Sequence, residues 1–397
     1  MKAEKVIVFA LLAILLLSTF ACGGGEEEEE GVTELKYGIG TPLTGAYGAA
    51  IGLPGKYAFN MAAEKIGEFT VAGEQYRWKL ILEDNLASVA GGLASAQKFI
   101  YEHDVDFMHQ TFKDPAMGAL PICEELGMLL GVSGADYSDF GPDKPHFFQT
   151  SATLSLHAPA FFDWLTKEHR EVKRVAFTAP DSLTGYAVGA AVVASAEHFG
   201  LEVVAEEYTP TAMLELMPIA NKIMRRDPDL YVGGADIYDM MVAMGYEGLA
   251  ASYFWTEADP EKVGWDVCEG YLLFVPHPVG DVWPEVPALR EEYEDRYGIE
   301  FGLSAFGSFN LLYVMTDVLR QAGTVDDIEK IKETMETGAF DSLAGPIAYG
   351  LEELNGVGHV GLYPTPIVKV AGEKEYELLA MYTPEETEAI MVEVFGE

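Results

Sequence analysis

Short hydrophobic runs alternate with amphipathic stretches through the first third of the chain. Four runs have the length and composition of buried strands, at 34–40, 78–84, 105–109 and 128–133. Ser88 precedes the clearest amphipathic stretch, in which hydrophobic residues recur every three or four positions as far as Ile100. Such strand–helix alternation is typical of a parallel sheet that carries helices on both faces.

The same alternation restarts in the middle of the chain. Five further runs predict strands, at 173–179, 201–208, 229–235, 252–257 and 270–276. We expect residues 146–153 to join two similar α/β units, and a length of 397 residues also favours two domains. Towards the C-terminus the pattern predicts helices at 284–297, 306–322 and 326–337, and late strands in "LAGPIAYG" and "PTPIVKV".

The N-terminus has the composition of an export signal. A basic start is followed by an apolar run from Val6 to Leu17, which is short for a membrane span of about 20 residues. Cys22 follows small residues, as in a bacterial lipobox whose cysteine becomes the lipidated N-terminus, although Thr19 stands where leucine is usual. We predict a signal over 1–22 with lipidation at Cys22; a plain cleaved signal and an uncleaved anchor are the alternatives.

The acidic segment "GGGEEEEEG" comes directly after that cysteine. Glycines and a block of like charges cannot form a packed core, so we expect a solvated tether over 23–33. Across the whole chain, 64 acidic and 25 basic residues give a formal net charge of -39. A surface this negative argues against nucleic acid as a partner and against electrostatic docking on anionic lipid.

The remaining cysteines, Cys123 and Cys268, lie far apart in the sequence. Because the chain has no CxxC motif and no Cys/His cluster, we predict neither a metal site nor a cofactor. The glycines after the first strand do not form a dinucleotide site either, since Leu43 stands where G-x-G-x-x-G needs its third glycine. That loop is therefore either a ligand-facing segment or a tight turn.

Three stretches resemble the branched-chain amino-acid binding family, the solute-binding proteins of ABC importers. They are "GIGTPLTGAYGAAIG", "LILEDN" followed by "ASVAGGLASAQKFI", and "SLAGPIAYGLEELNGVG". The order of elements is similar from about Glu34 to Met381. The resemblance implies an α/β, type I periplasmic-binding fold: two Rossmann-like lobes with parallel central sheets, joined by a three-crossover hinge, with the ligand in the cleft between them.

The resemblance also sets the expected lobe boundaries and partners. Lobe 1 would contain 34–150 plus 278–344, and lobe 2 would contain 151–277 plus 345–397. Such a protein works outside the cytoplasm, in the periplasm or on the outer face of the cell membrane. It acts as a monomer, touches the membrane only through its lipid anchor, and delivers a small-molecule ligand to the permease subunits of the transporter. It performs no chemistry on the ligand.

Ligand contacts are expected in the loops that follow strands, because open α/β sheets bind ligands at the carboxyl ends of their strands. Members of this family hold the ligand carboxylate with hydroxyls and backbone N–H groups after the third and fourth strands, and hold its ammonium with an acid in the second lobe. The predicted ligand-binding residues are Tyr47, Thr111, Asp114, Ser133, Asp136, Tyr137, Thr184, Tyr186, Asp236, Tyr238 and Glu257.

The chain departs from the family pattern on the carboxylate side. Glu257 matches the ammonium-binding acid, but Asp114 and Asp136 stand near the expected serine and threonine. An acid that faced a ligand carboxylate would repel it. An amino acid, an amide, an amine, a polyol and an aromatic compound therefore remain open as ligands.

Two other functions fit parts of the sequence. Asp114, Asp136 and Glu257 would serve as paired carboxylates in a glycoside hydrolase, but only at a spacing that no sequence shows. The chain lacks the G-x-S-x-G and H-E-x-x-H motifs of serine and zinc hydrolases, so we expect no enzyme. A ligand-sensing lipoprotein that reports to a membrane receptor would share the same fold and cleft.

Overall fold

The computed structural model describes residues 31–210, 215–277 and 279–396. Its strands form one nine-stranded and one seven-stranded sheet. In chain order they are β1 (Val32–Thr41), β2 (Glu68–Val71), β3 (Glu74–Asp84), β4 (Phe107–Thr111), β5 (Leu130–Ser133), β6 (Phe147–Gln149), β7 (Arg174–Pro180), β8 (Glu202–Thr209), β9 (Leu230–Val232), β10 (Leu249–Ser252), β11 (Leu272–Leu273), β12 (Ala339–Phe340), β13 (Ile347–Gly350), β14 (Val360–Leu362), β15 (Thr365–Gly372) and β16 (Glu375–Tyr382).

Helices connect most of these strands. In chain order they are α1 (Leu53–Ile66), α2 (Val89–Lys98), α3 (Lys113–Leu126), α4 (Ala158–Glu168), α5 (Leu183–His198), α6 (Met217–Met224), α7 (Ala235–Ala243), α8 (Ala258–Val263), α9 (Trp265–Cys268), α10 (Val286–Tyr297), α11 (Leu303–Ala322), α12 (Ile328–Thr337), α13 (Glu352–Asn355) and α14 (Pro384–Phe395). Shorter helical turns cover Gly45–Tyr47, Gly48–Gly52, Phe99–His103, Tyr137–Asp139 and Leu154–His157.

The first sheet has the order β12-β13-β14-β6-β5-β4-β1-β3-β2, and the second has the order β16-β15-β11-β10-β9-β7-β8. Strands β3, β1, β4, β5 and β6 are parallel to one another, as are β8, β7, β9, β10 and β11. The α/β fold with two parallel central sheets, expected from the alternating pattern, is confirmed.

Each sheet is buried by helices on both faces. On the first sheet, α1 and α11 pack over Ile39 and Phe107, while α2 and α3 cover Met108 and Val132 on the opposite face. The predicted cap is present, because the Ser88 hydroxyl accepts a hydrogen bond from the backbone N–H of Gly91.

The chain passes between the sheets three times. It leaves the first sheet after Gln149, returns after Leu273, and leaves again between Leu362 and Thr365. All three passages begin at the carboxyl end of a strand, namely β6, β11 and β14, of which β14 is parallel to β6. The third ends at the start of β15, which lies beside the carboxyl end of the antiparallel β11. The carboxyl ends of both sheets therefore face a common cleft, with the passages along one side.

Two expectations need correction. We placed 345–397 in the second lobe, but β13 and β14 extend the first sheet, where Val360 pairs with Gln149. We also predicted a strand at 252–257, whereas β10 ends at Ser252. The Ser252 hydroxyl donates to the carbonyl of Phe254 and accepts from its N–H, which closes a turn and stops the strand.

The C-terminal helix α14 lies against both units. Met391 packs in the first unit, and Thr387 lies next to Thr365 at the start of β15. The sequence did not predict this helix. Within the described ranges, no helix combines the length and hydrophobicity needed to cross a bilayer. The predicted signal, Cys22 and most of the tether lie outside the described residues.

Candidate functional site

The strand order identifies one crevice in each sheet. Successive strands add to opposite sides of β1, with β3 on one side and β4 on the other, and they do the same around β7, with β8 and β9. Ligands of open α/β sheets bind outside the carboxyl ends of the strands at such switch points. The loops after β1 and β4 therefore form the centre of the first wall, and those after β7 and β9 form the centre of the second.

Two aromatic rings meet on the first wall. Tyr47, in the loop after β1, lies 5.2 Å from Phe112, the residue directly after β4. Tyr47 is 58% exposed. Phe112 has φ 76° and ψ 151°, a conformation that a bulky residue adopts only under constraint. Its N–H donates to the carbonyl of Ser133 at 2.9 Å, which ties the two loops together.

The loop after β1 is fixed from the neighbouring strand. Asp84, the last residue of β3, accepts from the N–H groups of Leu43 and Leu86 at 3.0 Å and from the Thr44 hydroxyl at 2.5 Å. This carboxylate therefore organises the loop that carries Tyr47. The sequence analysis did not predict this role of Asp84, because an acidic residue at the end of a strand is the only indication of it in the sequence.

A buried histidine lies beneath the first wall. His109 in β4 is 1% exposed and lies 3.1 Å from the Ser133 hydroxyl and 3.2 Å from that of Thr150. Burial lowers the pKa of His109 to about 3, so the ring is neutral at physiological pH. Thr111 and Ser133 are register partners at the ends of β4 and β5, so the two predicted hydroxyl residues come together here.

The predicted acids of the first wall have other surroundings. Asp114 is exposed in the first turn of α3. Asp136 caps the Tyr137–Asp139 turn, where its carboxylate accepts from both the N–H and the hydroxyl of Ser138. The ring of Tyr137 stacks on Phe395 of α14 at 5.0 Å, so it is engaged with the C-terminal helix.

The first residues of α5 shape the second wall. Thr184 is exposed in the first turn, which the Ser182 hydroxyl caps by accepting from the N–H of Gly185 at 3.1 Å. Tyr186 is 46% exposed, packs on Tyr208 at 4.5 Å, and donates its hydroxyl hydrogen to Asp181. Thr184 and Tyr186 therefore lie together after β7.

The loop after β9 separates its two predicted residues. Asp236, in the first turn of α7, forms an ion pair with Lys262 of α8 at 2.5 Å. Tyr238 is half-buried against Tyr271, with 5.0 Å between the ring centroids, and burial raises its pKa. Tyr238 therefore faces the core of the second unit.

Glu257 lies where the two units meet. Its carboxylate pairs with Lys374 at 2.8 Å, and a small cavity beside it is lined from both units, by Trp255, His277, Arg290, Glu300, Phe301 and Tyr376. Burial and the charge of Glu257 raise the pKa of Glu300. Nearby, Phe254 is 43% exposed, two residues after the end of β10. Sequence reasoning did not single out Phe254, although it follows a strand like the others.

Comparison with known proteins agrees with this architecture. A family model described as periplasmic binding protein matches residues 34–370. A solute-binding protein of an ABC transporter from Rhodopseudomonas palustris BisB5, in complex with 3,4-dihydroxybenzoic acid, has 21% identity, a TM-score of 0.71, and coverage of 88% of this chain and 98% of its own.

Two further structures are similar at lower identity. The leucine-binding protein LivK from Thermotoga maritima MSB8 has 17% identity and a TM-score of 0.68, with coverage of 88% of this chain and 99% of its own. A branched-chain amino acid ABC transporter periplasmic ligand-binding protein from Burkholderia xenovorans LB400 has 14% identity, a TM-score of 0.73, and coverage of 89% and 96%. Because the model match spans most of the sequence, the chain belongs to the type I periplasmic binding protein family, in the leucine and branched-chain amino-acid-binding group.

Proposed function

We propose that this protein captures a small organic solute between its two lobes and delivers it to the permease of an ABC importer. The solute class is an amino acid, an amide or a related amine or aromatic compound. The observation that carries the proposal is the exposure of aromatic rings in the strand-end loops of both sheets. Tyr47 is 58% exposed, Tyr186 is 46% exposed and Phe254 is 43% exposed.

These rings have a physical reason to bind a ligand. Large apolar side chains that remain open to water in a concave region gain free energy when a partner covers them, at about 25 cal/mol per Å² of apolar surface. The Tyr47–Phe112 pair would pack on the apolar or aromatic part of the solute. The hydroxyls of Thr111 and Ser133, and Glu257 with Lys374, would contact its polar groups.

Capture in this proposal is a conformational equilibrium. The three passages lie on one side of the cleft, so rotation about them would bring the walls after β4 and β7 together, as in hinge closure. The solute stabilises the closed form by contacting both walls, and no bond is made or broken. Structures in complex with 3,4-dihydroxybenzoic acid and 4-hydroxybenzoate, in proteins of the same fold, support an aromatic solute.

The location proposed for this function is the outer face of a membrane, with Cys22 lipidated. The test is metabolic labelling with a palmitate analogue, followed by membrane fractionation of the wild-type protein and the Cys22→Ser variant. Labelled, membrane-bound wild-type protein and unlabelled, released variant are expected. Equal release of both proteins would contradict the anchor and leave the binding function intact.

The binding function is tested with residues 32–397 in a thermal-shift screen of amino acids, amides, polyamines, sugars and aromatic acids. A ligand at a hundred times its Kd stabilises the fold by about 2.7 kcal/mol. Each hit is then examined by small-angle scattering, where lobe closure lowers the radius of gyration. Mass spectrometry of the recovered ligand is the control for chemistry. An altered ligand would indicate an enzyme, and a panel with no stabilising compound would count against solute capture.

A further inference from the structure

The hydrogen bonds around His109 determine which hydrogen-bonding group Ser133 offers to the cleft. His109 lies between two hydroxyls, with Ser133 Oγ 3.1 Å from Nε2 and Thr150 Oγ1 3.2 Å from Nδ1. A neutral imidazole carries one N–H donor and one bare acceptor nitrogen. The direction of both hydrogen bonds therefore follows from the position of a single hydrogen.

Thr150 determines where that hydrogen lies. Its backbone N–H donates to the carbonyl of Val132 at 3.0 Å, and its hydroxyl is 3.3 Å from the same oxygen. A carbonyl has two lone pairs, so it accepts both hydrogens. When the Thr150 hydroxyl donates to Val132, its oxygen is left to accept from His109 Nδ1–H.

The position of this hydrogen also determines the direction of the hydrogen bond between His109 and Ser133. With the hydrogen on Nδ1, Nε2 is an acceptor, and Ser133 donates its only hydroxyl hydrogen to it. The reverse order, with Nε2–H donating to Ser133, turns the Thr150 hydroxyl away from Val132 and forms one hydrogen bond fewer within the protein. In a buried site each hydrogen bond contributes about 1 kcal/mol, so the first arrangement is favoured.

We propose that His109 fixes Ser133 as a hydrogen-bond acceptor towards the cleft, so that the first wall selects solutes that present an N–H or O–H group there rather than a carboxylate. His109 is a positioning residue in this proposal, and Ser133 is the residue that touches the solute. The proposal rests on the proposed function and narrows its solute class. In this arrangement the Ser133 hydroxyl accepts a hydrogen bond from the solute, whereas a serine that binds a carboxylate donates one.

The surroundings of Ser133 support the same polarity. Asp114 lies in the first turn of α3 after β4, and Asp136 follows β5. Lys113, the residue directly before Asp114, is paired with Asp139 at 2.6 Å. A carboxylate placed near Ser133 would be repelled by the negative charges of Asp114 and Asp136 and by the lone pair on the Ser133 hydroxyl oxygen. An amide, ammonium or hydroxyl group would meet acceptors on each side.

The first measurement is the tautomer of His109, which needs no ligand. A long-range ¹H–¹⁵N spectrum at pH 7 distinguishes the protonated from the bare ring nitrogen, and the signal that disappears in His109→Gln is assigned to His109. Hydrogen on Nδ1 is expected in the wild-type protein. In Thr150→Val, Nδ1 loses its acceptor, so the hydrogen should move to Nε2. Hydrogen on Nε2 in the wild-type protein would overturn the proposal.

The second measurement compares two probes that differ in one group, benzamide and benzoate. Calorimetry should give benzamide a Kd about tenfold lower in the wild-type protein, and Thr150→Val should remove that preference by releasing the Ser133 hydrogen. Ser133→Ala should also remove it. The control is Thr316→Val, a buried threonine of the same lobe whose hydroxyl accepts from the Trp78 ring N–H at 2.8 Å, and its preference should equal that of the wild-type protein.

The results with benzamide and benzoate test the acceptor role of Ser133 separately from the capture of a solute. A wild-type preference for benzoate would overturn the acceptor role while supporting solute capture. If neither probe binds, the aromatic solute class is contradicted, and the tautomer still decides the polarity of Ser133.

Discussion

The Phe112 N–H donates to the carbonyl of Ser133 at 2.9 Å, across the ends of two neighbouring strands. This bond holds Phe112 at a positive φ of 76°, in a region that costs a bulky residue about 1–3 kcal/mol. The same residue carries the ring that meets Tyr47. The position of the aromatic pair is therefore set by the backbone of the sheet edge, and the ring of Tyr47 is the more exposed half of it.

Replacing Tyr47 should weaken binding without weakening the fold. Because its ring is 58% exposed, Tyr47→Ala should leave the melting temperature of the free protein unchanged and raise the Kd of an aromatic or aliphatic solute about tenfold, or about 1.4 kcal/mol. Tyr101→Ala is the matched control: this ring is 71% exposed and lies before β4, at the opposite end of the strand. Equal Kd values for the two variants by calorimetry would contradict the role of Tyr47.

The ion pair of Glu257 with Lys374 makes a charge-specific prediction. Glu257→Gln should raise the Kd of an amine ligand more than tenfold, about 1.4 kcal/mol, whereas Lys374→Gln should lower it by releasing the carboxylate. Glu269→Gln removes the same charge from the same lobe just before β11, away from the cleft edge, and serves as the control. An unchanged Kd in Glu257→Gln would remove Glu257 from the binding site.

Three buried histidines should make the fold sensitive to mild acid. Burial lowers the pKa of His109 and His157 to about 3 and that of His277 to about 4, against about 6.5 in the unfolded chain. As the pH falls from 6.5 to 4, the unfolded state takes up protons that the folded state does not. The free energy of unfolding should therefore fall by up to about 1.4 kcal/mol per pH unit for each histidine.

Urea unfolding at pH 7 and pH 5 measures this slope. His157→Asn keeps a polar group near Thr365, removes one titrating ring, and should lower the slope by up to about 1.4 kcal/mol per pH unit. His169→Asn, the same substitution at a partly buried histidine beside Glu171, is the comparison variant. A slope as steep in His157→Asn as in the wild-type protein would show that burial of this ring does not control the acid response.

The contact between α2 and α3 depends on glycine. A Cβ on Gly118 would lie 2.0 Å from the backbone oxygen of Val89, which cannot move without shifting α2. Gly118→Ala should therefore lower the free energy of unfolding by about 2–3 kcal/mol. In Gly307→Ala, also within a helix, the added Cβ would lie 4.0 Å from the Cβ of Ser151, and a gain of about 0.5–1 kcal/mol is expected. Equal effects in denaturant unfolding would contradict the close packing.

The features of the fold that were predicted correctly are those that the local pattern of hydrophobic and polar residues determines. The alternation of strands and helices, the Ser88 cap and the restart in the middle of the chain follow from short-range periodicity, and the fold class and family are confirmed. The attachment of β13 and β14 to the first sheet was not predictable in this way. It depends on pairing between Val360 and Gln149, two residues that no local pattern connects.

The candidate site was predicted at the level of loops rather than of side chains. The rule on strand ends identified the loops that carry Thr111, Ser133 and Glu257, and the assignment of these residues to ligand binding stays a prediction. It could not tell that Tyr238 packs on Tyr271, because the face of a helix that turns to the core depends on tertiary packing. Likewise, the partners of His109 lie far from it in sequence, since Ser133 ends β5 and Thr150 directly follows β6.

The strand order also governs how the polypeptide must assemble. The sheet that contains β1 gains β12, β13 and β14 only from residues after 338, and α11 covers β1 and β3 together with α1. A growing chain that has emerged as far as residue 277 therefore has all the parallel strands of the second sheet while the first still lacks its closing edge and one of its covering helices. Because contacts between distant residues form slowly, completion of the first unit should limit the folding rate. Substitutions at the Val360–Gln149 junction should accordingly slow folding more than equally destabilising substitutions within β7 and β8.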